Sequence, residues 1–125
     1  MSKSTELVYE GEVFNIEAYC ADTGKALVID WIDELPDKLQ VKLAALFTRL
    51  GDHGTIYNER KFKHLSGTNQ IFEFKADDAR VLCFFFFGKR VILTHGFKKK
   101  GQKTPKREIE RAENIKHDFE NRTKK

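Results

Sequence analysis

The 125-residue sequence predicts one α+β domain in which a helical hairpin packs against an antiparallel-rich sheet. Between residues 70 and 97, three short runs rich in β-branched and aromatic residues are separated by turn residues at 76–79 and 88–89. This pattern predicts a three-stranded meander. Upstream, apolar residues recur at helical spacing on both sides of Pro36, which predicts two consecutive helices. A chain of this length supports one hydrophobic core, so residues 1–125 are interpreted as a single domain.

The N-terminal part is predicted to contain one strand. Residues 1–12 carry few apolar anchors, so we expect them to form a partly disordered extension. Residues 13–20 alternate between two faces, which predicts an N-terminal strand. Asp22 or Thr23 can cap the helix that follows, and this helix must end before Pro36.

The second helix is predicted to begin at Pro36, with Asp37 favourably placed near the positive end of the helix dipole. Gly51 is expected to end it. Its apolar stripe consists of Leu39, Leu43, Leu46, Phe47 and Leu50. Such a stripe must be buried, and the meander is the layer available to cover it.

The register of the meander follows from its turns. We expect a two-residue type II′ turn at Gly88 and Lys89, and a second turn at Asp77 and Asp78. The resulting cross-strand pairs are Phe87 with Arg90, Phe84 with Leu93, Leu82 with His95, Arg80 with Phe97, Lys75 with Arg80, and Glu73 with Leu82. Paired residues share one face of a sheet.

One face therefore carries two adjacent rows. The rows are Lys75, Arg80 and Phe97, and then Glu73, Leu82 and His95. The opposite face is expected to be the core packed against the helices, and it carries Phe72, Phe74, Val81, Cys83, Phe85, Phe87 and Ile92.

The last predicted element is a C-terminal helix. Thr104 is its expected N-cap and Pro105 its first residue. Its modest apolar face consists of Ile109, Ala112, Ile115 and Phe119.

Charge is concentrated in the central segment. Residues 70–107 carry ten Lys or Arg and three Asp or Glu, a net charge of +7, although the whole chain has a net charge of only +4. Six of these cations lie between residues 98 and 107, where no acidic residue occurs. A polyanion such as nucleic acid is the partner that this pattern attracts best. A solvated lysine loop that only keeps the protein soluble is the competing interpretation.

The sequence also limits the classes of protein to which the chain can belong. No apolar run is long enough to span a membrane, and the N-terminus lacks the apolar core of a signal peptide, so we expect a cytoplasmic protein. Cys20 and Cys83 lie far apart without metal-ligand spacing and are interpreted as reduced, buried thiols, with a disulfide between them left open. We expect neither a metal ion nor a cofactor.

The residues gathered on one face suit the chemistry of RNA cleavage. Arg80 and the lysines can hold a phosphate, Phe97 can stack on an unpaired base, and His95 can carry a proton near neutral pH. The 2′-OH of the RNA would be the nucleophile. Each residue also has a structural interpretation, because His95 and Phe97 can belong to the core and Glu73 can pair with a neighbouring cation.

The sequence resembles a known family of toxins at several motifs. These are Glu-Phe-Lys at residues 73–75, Ala-Arg-Val-Leu at 79–82, Leu-Thr-His-Gly-Phe-Lys-Lys-Lys at 93–100 and Gln-Lys-Thr-Pro at 102–105. With the order of its elements, the chain resembles the RelE/HigB superfamily of type II toxins, in its phage-derived HigB-like branch, over residues 13–120. The resemblance implies a small toxin that enters the ribosome, cuts mRNA during translation, and is neutralised by an antitoxin that usually has a helix-turn-helix domain.

The family's functional positions correspond to Lys75, Arg80, Phe97 and one or more of residues 98–100. Together with the register, this gives Arg80, His95, Lys75 and Lys98 as candidate catalytic residues. The candidate RNA-binding residues are Phe97, Lys99, Lys100, Lys103 and Glu73. Many relatives place a tyrosine or a second arginine near the cleavage centre, whereas phenylalanine cannot transfer a proton. That leaves His95 or a lysine as the acid that protonates the leaving oxygen.

Two other functions fit the same fold. ParE-like toxins inhibit DNA gyrase without cutting nucleic acid, and they have no need of the row formed by Lys75, Arg80 and Phe97. An inactive relative that only binds RNA or an antitoxin is the third alternative.

Overall fold

The computed structural model of the protein describes residues 3–123, which form one six-stranded sheet and three helices. The predicted α+β class, with a mostly antiparallel sheet, is confirmed. In chain order the elements are β1 (Thr5–Glu10), β2 (Asn15–Tyr19), α1 (Leu27–Asp33), α2 (Asp37–His53), β3 (Phe62–His64), β4 (Phe72–Ala76), β5 (Ala79–Phe86), β6 (Arg90–Lys98) and α3 (Lys106–Thr123). The strand order across the sheet is β1-β2-β6-β5-β4-β3, with β2 and β6 parallel and the other neighbours antiparallel.

Both edges of the sheet are strands that the sequence analysis did not predict. Thr5–Glu10 forms β1, so the expectation of a partly disordered extension over residues 1–12 is wrong for this segment; Met1 and Ser2 lie outside the described residues. β1 pairs with β2, which supplies the hydrogen-bonding partners that a short segment with few apolar side chains needs. On the other edge β3 has three residues, too few for an alternating pattern to be recognised.

The two N-terminal helices differ from prediction at their ends. α1 begins at Leu27 without a side-chain cap, so neither Asp22 nor Thr23 caps it. α2 extends to His53 and is capped by Gly54, which has a positive φ of 80°, rather than ending at Gly51. Gly51 lies inside the helix, where its carbonyl accepts hydrogen bonds from the N–H groups of residues 13 and 14 at 2.7 and 2.9 Å. Because Gly51 has no side chain, the segment that contains residues 13 and 14 can approach α2 closely. Gly51 does not form a turn.

Helices cover both faces of the sheet. α1 and α2 pack on a core that contains Phe74, Val81 and Leu93, and α3 packs on a second cluster that contains Leu82, Phe84 and Phe119. The predicted apolar face of α3 is confirmed, with Ala112 and Phe119 buried and residues 109 and 115 half-buried. Cys20 and Cys83 are buried free thiols, as expected. No helix within residues 3–123 has the length and apolar character needed to cross a lipid bilayer.

The first hairpin of the meander has the predicted register, since Lys75 pairs with Arg80 and Glu73 with Leu82. The second hairpin departs from prediction at its turn. Phe87, Gly88 and Lys89 form a three-residue connection in which Gly88 and Lys89 have positive φ values of 83° and 60°. The predicted type II′ turn is wrong. The pairs formed are Phe86 with Arg90, Phe85 with Val91, Phe84 with Ile92, and Cys83 with Leu93.

A bulge at Thr94 restores the predicted register further along the same hairpin. Leu82 pairs with His95, and Arg80 pairs with Phe97, because the extra residue in β6 compensates for the longer turn. Between the turn and the bulge, the shift moves Ile92 to the face covered by α3. Phe87 is 87% exposed rather than part of the core.

Candidate functional site

A basic cleft opens beside β4, where the loop between β6 and α3 crosses the end of the sheet. We call it the Lys75 cleft. It has a volume of about 240 Å³ and is lined by Lys63, Leu65, Ser66, Glu73, Lys75, Lys99, Gln102, Lys103, Thr104 and Ile109. Four lysines and one carboxylate line it, so the cleft attracts anions.

Lys75 is the half-buried cation of this cleft. Its Nζ donates a hydrogen bond to the carbonyl oxygen of Glu59 at 3.0 Å. Burial is the largest cause that lowers the pKa of the Lys75 amine. The charges of Lys63, Lys99 and Arg80 lower that pKa further, while Glu73 opposes the change. Lys75 therefore gives up a proton more readily than an exposed lysine.

Glu73 lies on the floor of the cleft and is only 1% exposed. The hydroxyl of Thr104 donates a hydrogen bond to its Oε2 at 2.7 Å. Thr104 was predicted to cap α3, but the helix begins at Lys106 and the hydroxyl is used for Glu73 instead. This bond fastens the loop between β6 and α3 to β4.

Arg80 stands between Lys75 on β4 and Phe97 on β6, as predicted. Its Nη1 donates to the carbonyl oxygens of Asp77 at 2.6 Å and Ala79 at 3.0 Å, which fix the guanidinium against the hairpin turn. Its Nε is buried and, within residues 3–123, has no hydrogen-bond partner. A buried donor without a partner costs roughly 1–3 kcal/mol, so its retention calls for an explanation.

His95 is 2% exposed and lies between β6 and α3. Its Nδ1 lies 3.1 Å from the hydroxyl of Thr94, and its Nε2 lies 2.9 Å from Oε1 of Glu108. Burial lowers the pKa of His95, and the hydrogen bond with Glu108 opposes this. These contacts are typical of a structural histidine packed in the core. They favour that interpretation of His95 over the role of proton carrier.

Phe97 is also covered, with 8% of its surface exposed. It belongs to the cluster under α3, and its ring centroid lies 6.0 Å from that of His95. The expectation that Phe97 offers an open face for base stacking is wrong for this conformation. The register places Phe97 beside Arg80 as predicted, but the sequence did not indicate that α3 lies over this part of the sheet.

The basic loop contributes unequally to the cleft. Lys99 and Lys103 line it, whereas Lys98 and Lys100 are exposed and do not. Nζ of Lys98 lies 3.9 Å from Oδ2 of Asp78, so this cation is directed toward the hairpin turn.

A second basic cleft was missed by the sequence analysis. It has a volume of about 440 Å³, adjoins the Lys75 cleft through Lys75, and is lined by Lys42, Ala45, Leu46, Asn58, Arg60, Lys61, Lys75, Ala76 and Asp77. The signal for it is the concentration of cations at residues 60–63. These cations indicate a cleft only when β3 aligns their segment with β4, and β3 is too short to be recognised from its sequence pattern.

The described residues contain no cluster of three or more His, Cys, Asp or Glu side chains that could hold a metal ion. None of the curated proteins compared with the chain matches it. Residues 30–117 match the family described as Phage derived protein Gp49-like (DUF891), and this match runs from α1 into α3 and includes both basic clefts. Since the match covers more than half of the sequence, the chain belongs to the phage-derived Gp49-like family.

Proposed function

We propose that the chain is the toxin of a toxin–antitoxin system and inhibits translation as a metal-independent endoribonuclease that cuts mRNA on the ribosome. Its family is associated with toxins of such systems, and its α+β architecture is consistent with a RelE-like fold. The observation that carries the proposal is the position of Lys75, a half-buried amine with a lowered pKa in a cleft lined by lysines.

The cations divide into two roles in this proposal. Lys63, Lys99 and Lys103 attract the RNA backbone, because among the described residues that line the cleft they outnumber the one carboxylate, Glu73. Arg80 is held against the turn by two carbonyl oxygens, so its guanidinium is already oriented before a phosphate arrives. A fixed charge of this kind stabilises the negative charge that grows on a phosphate in the transition state.

The proposed reaction needs a base and an acid. The 2′-OH loses its proton to the neutral form of Lys75 and attacks the adjacent phosphorus. As the new P–O bond forms, the bond to the 5′-oxygen breaks, and that oxygen takes a proton from Lys99 or Lys103 across the cleft. The products are a 2′,3′-cyclic phosphate and a 5′-OH. His95 has no part in this scheme, since it is 2% exposed and bonded to Glu108.

The proposed partners follow from the same surface. The ribosome presents the mRNA strand, and a cognate antitoxin, expected to carry a helix-turn-helix domain, blocks the basic clefts with an acidic or amphipathic segment.

Expression in bacterial cells tests the proposal. New 5′ ends should appear in translated mRNA and not in the same mRNA without a start codon, and amino-acid incorporation should fall before DNA synthesis does. The double variant Lys75→Ala with Arg80→Ala is the matched control and should produce neither effect. An early fall in DNA synthesis with trapped gyrase would instead favour a ParE-like function.

A further inference from the structure

Tyr57 is an exposed aromatic residue outside the Lys75 cleft. It is 85% exposed and lies in the loop between α2 and β3. The backbone on both sides of it is held in place. Ile56 is buried at 7% exposure, and the carbonyl oxygen of Asn58 accepts hydrogen bonds from the N–H groups of Lys61 at 2.9 Å and Phe62 at 3.0 Å. Because the backbone is already held, a ligand that stacks on the ring does not have to order the loop as well.

Tyr57 forms one wall of a third cleft, with a volume of about 490 Å³. Its other lining residues are the apolar Ala45, Leu46 and Ile56 and the polar Arg49, Asn58 and Lys61. The volume is within the range of about 300–1,000 Å³ that is usual for small-molecule sites. The third cleft shares Lys61 with the second basic cleft, which in turn reaches Lys75. One continuous surface therefore runs from Tyr57 to the Lys75 cleft.

The charge along this surface is positive. Arg60 and Lys61 are exposed between Tyr57 and Lys75, and the carboxylate that lines the second cleft, Asp77, is neutralised by Lys42 at 3.0 Å. An exposed aromatic ring beside a line of cations is the arrangement by which proteins bind single-stranded nucleic acid: the ring stacks on a base and the cations contact the backbone.

We propose that the third cleft is a binding site for an unpaired base of the RNA strand, with Arg60 and Lys61 holding the phosphates between this base and Lys75. This inference rests on the proposed function for the identity of the strand. It assigns to Tyr57 the stacking role that Phe97, covered by α3, does not offer. The continuity with the Lys75 cleft favours an RNA strand over an acidic protein segment as the occupant.

Binding can be measured separately from cleavage. The probe is a fluorescently labelled octanucleotide of mixed sequence that carries 2′-O-methyl groups, because it lacks the 2′-OH nucleophile and cannot be cut. Tyr57→Ala should raise the Kd for this probe roughly 5- to 150-fold, the range expected for loss of one stacked base. Tyr57→Phe keeps the ring and should stay within about twofold. Phe87→Ala removes an aromatic ring that is 87% exposed in the turn between β5 and β6, and it should leave the Kd unchanged.

Tyr57→Trp supplies a direct readout of the ring's environment. The octanucleotide should quench its emission, and the natural tryptophan Trp31, half-buried in α1, provides the background in the unmodified chain. Quenching by an acidic peptide but not by the octanucleotide would overturn RNA as the occupant.

The two proposals fail in different ways. If the wild-type chain shows no saturable binding at low salt, or if Tyr57→Ala binds the probe as tightly as Phe87→Ala does, the base site is overturned even where translated mRNA is cut. If Tyr57→Ala weakens binding but no variant or wild type cuts translated mRNA, the base site stands and the nuclease proposal is overturned.

Discussion

The Lys75 cleft and the pair formed by His95 and Phe97 occupy the same face of the sheet but differ in what covers them. Lys75 lies on β4, and its amine is bordered by lysines and open to ligands. His95 and Phe97 lie on β6, where α3 packs over them and Glu108 bonds to the imidazole. Residues with matching chemistry and correct register can therefore have different roles. The position of one helix decides which of them can meet a substrate.

The largest expected effect concerns Lys75. Lys75→Ala should lower the rate of mRNA cleavage by roughly 10²- to 10⁴-fold, the usual contribution of a general base. Lys75→Arg keeps the charge but cannot lose a proton, so it should remain as inactive as Lys75→Ala. Single-turnover cleavage on programmed ribosomes measures this, with Lys25→Ala as the control for loss of an exposed lysine outside the three clefts.

The pH dependence of the same reaction tests whether Lys75 is the general base. The reaction needs Lys75 in its neutral form as base and a protonated lysine as acid, so the rate should rise with pH, pass through a maximum and then fall. Because burial lowers the pKa of Lys75, the rise should occur at a lower pH than an exposed lysine would give. A rate that does not change with pH in the wild type would contradict the role of Lys75 as base.

Arg80 comes next in expected size. Arg80→Ala should cost ~2.7–4 kcal/mol of transition-state stabilisation, or roughly a hundred- to thousandfold in rate. Arg80→Lys should recover part of this, since lysine restores the charge without the planar, two-pronged donor. The melting temperature should change little in either variant, which a thermal scan checks. Full toxicity of Arg80→Ala at equal expression would exclude Arg80 from the reaction.

The difference between the two regions also explains how far the sequence could be interpreted. The two-residue turn at Asp77 and Asp78 fixed the pairing of Lys75 with Arg80, because such a turn leaves one register. The pairing of Arg80 with Phe97 was correct for an incomplete reason, since the longer turn after Phe86 and the bulge at Thr94 compensate for each other. Neither feature has a local pattern that reveals it.

Burial by α3 could not be predicted from the same patterns. The apolar stripe of α3 indicates that the helix packs on something, but not where along the sheet it lies. That position depends on contacts distant in sequence, such as the hydrogen bond from Lys116 Nζ to the carbonyl oxygen of Asn69 at 2.8 Å. β3 escaped prediction for a related reason, since three residues gain their strand conformation from pairing with β4.

His95 provides the next test, with an effect on stability rather than on rate. His95→Gln should lower the free energy of unfolding by roughly 1–3 kcal/mol, because Glu108 loses its buried partner. Cleavage by the folded protein should stay near the wild-type rate. Chemical denaturation and single-turnover cleavage measure the two effects, and abolished cleavage at unchanged stability would restore His95 as the proton carrier.

The pKa of His95 predicts a pH dependence of stability with a definite sign. The folded state holds His95 at a lowered pKa, so the unfolded chain binds more protons once the pH falls below about 6.5. The stability associated with neutral His95 is therefore present above that pH and declines as the pH falls through it. Denaturation midpoints at pH 7.5 and 5.5 should differ more in the wild type than in His95→Gln.

The smallest effect is expected at Phe97. Phe97→Leu keeps an apolar side chain of similar size in the cluster under α3, so it should lower the free energy of unfolding by less than about 1.5 kcal/mol. RNA cleavage and octanucleotide binding should not change, because the ring has no open face on which a base could stack. Phe87→Leu makes the same chemical change at an exposed position and should leave stability, cleavage and binding unaltered. If Phe97→Leu instead weakens octanucleotide binding without lowering stability, α3 must move aside in solution and Phe97 then shares the stacking role with Tyr57.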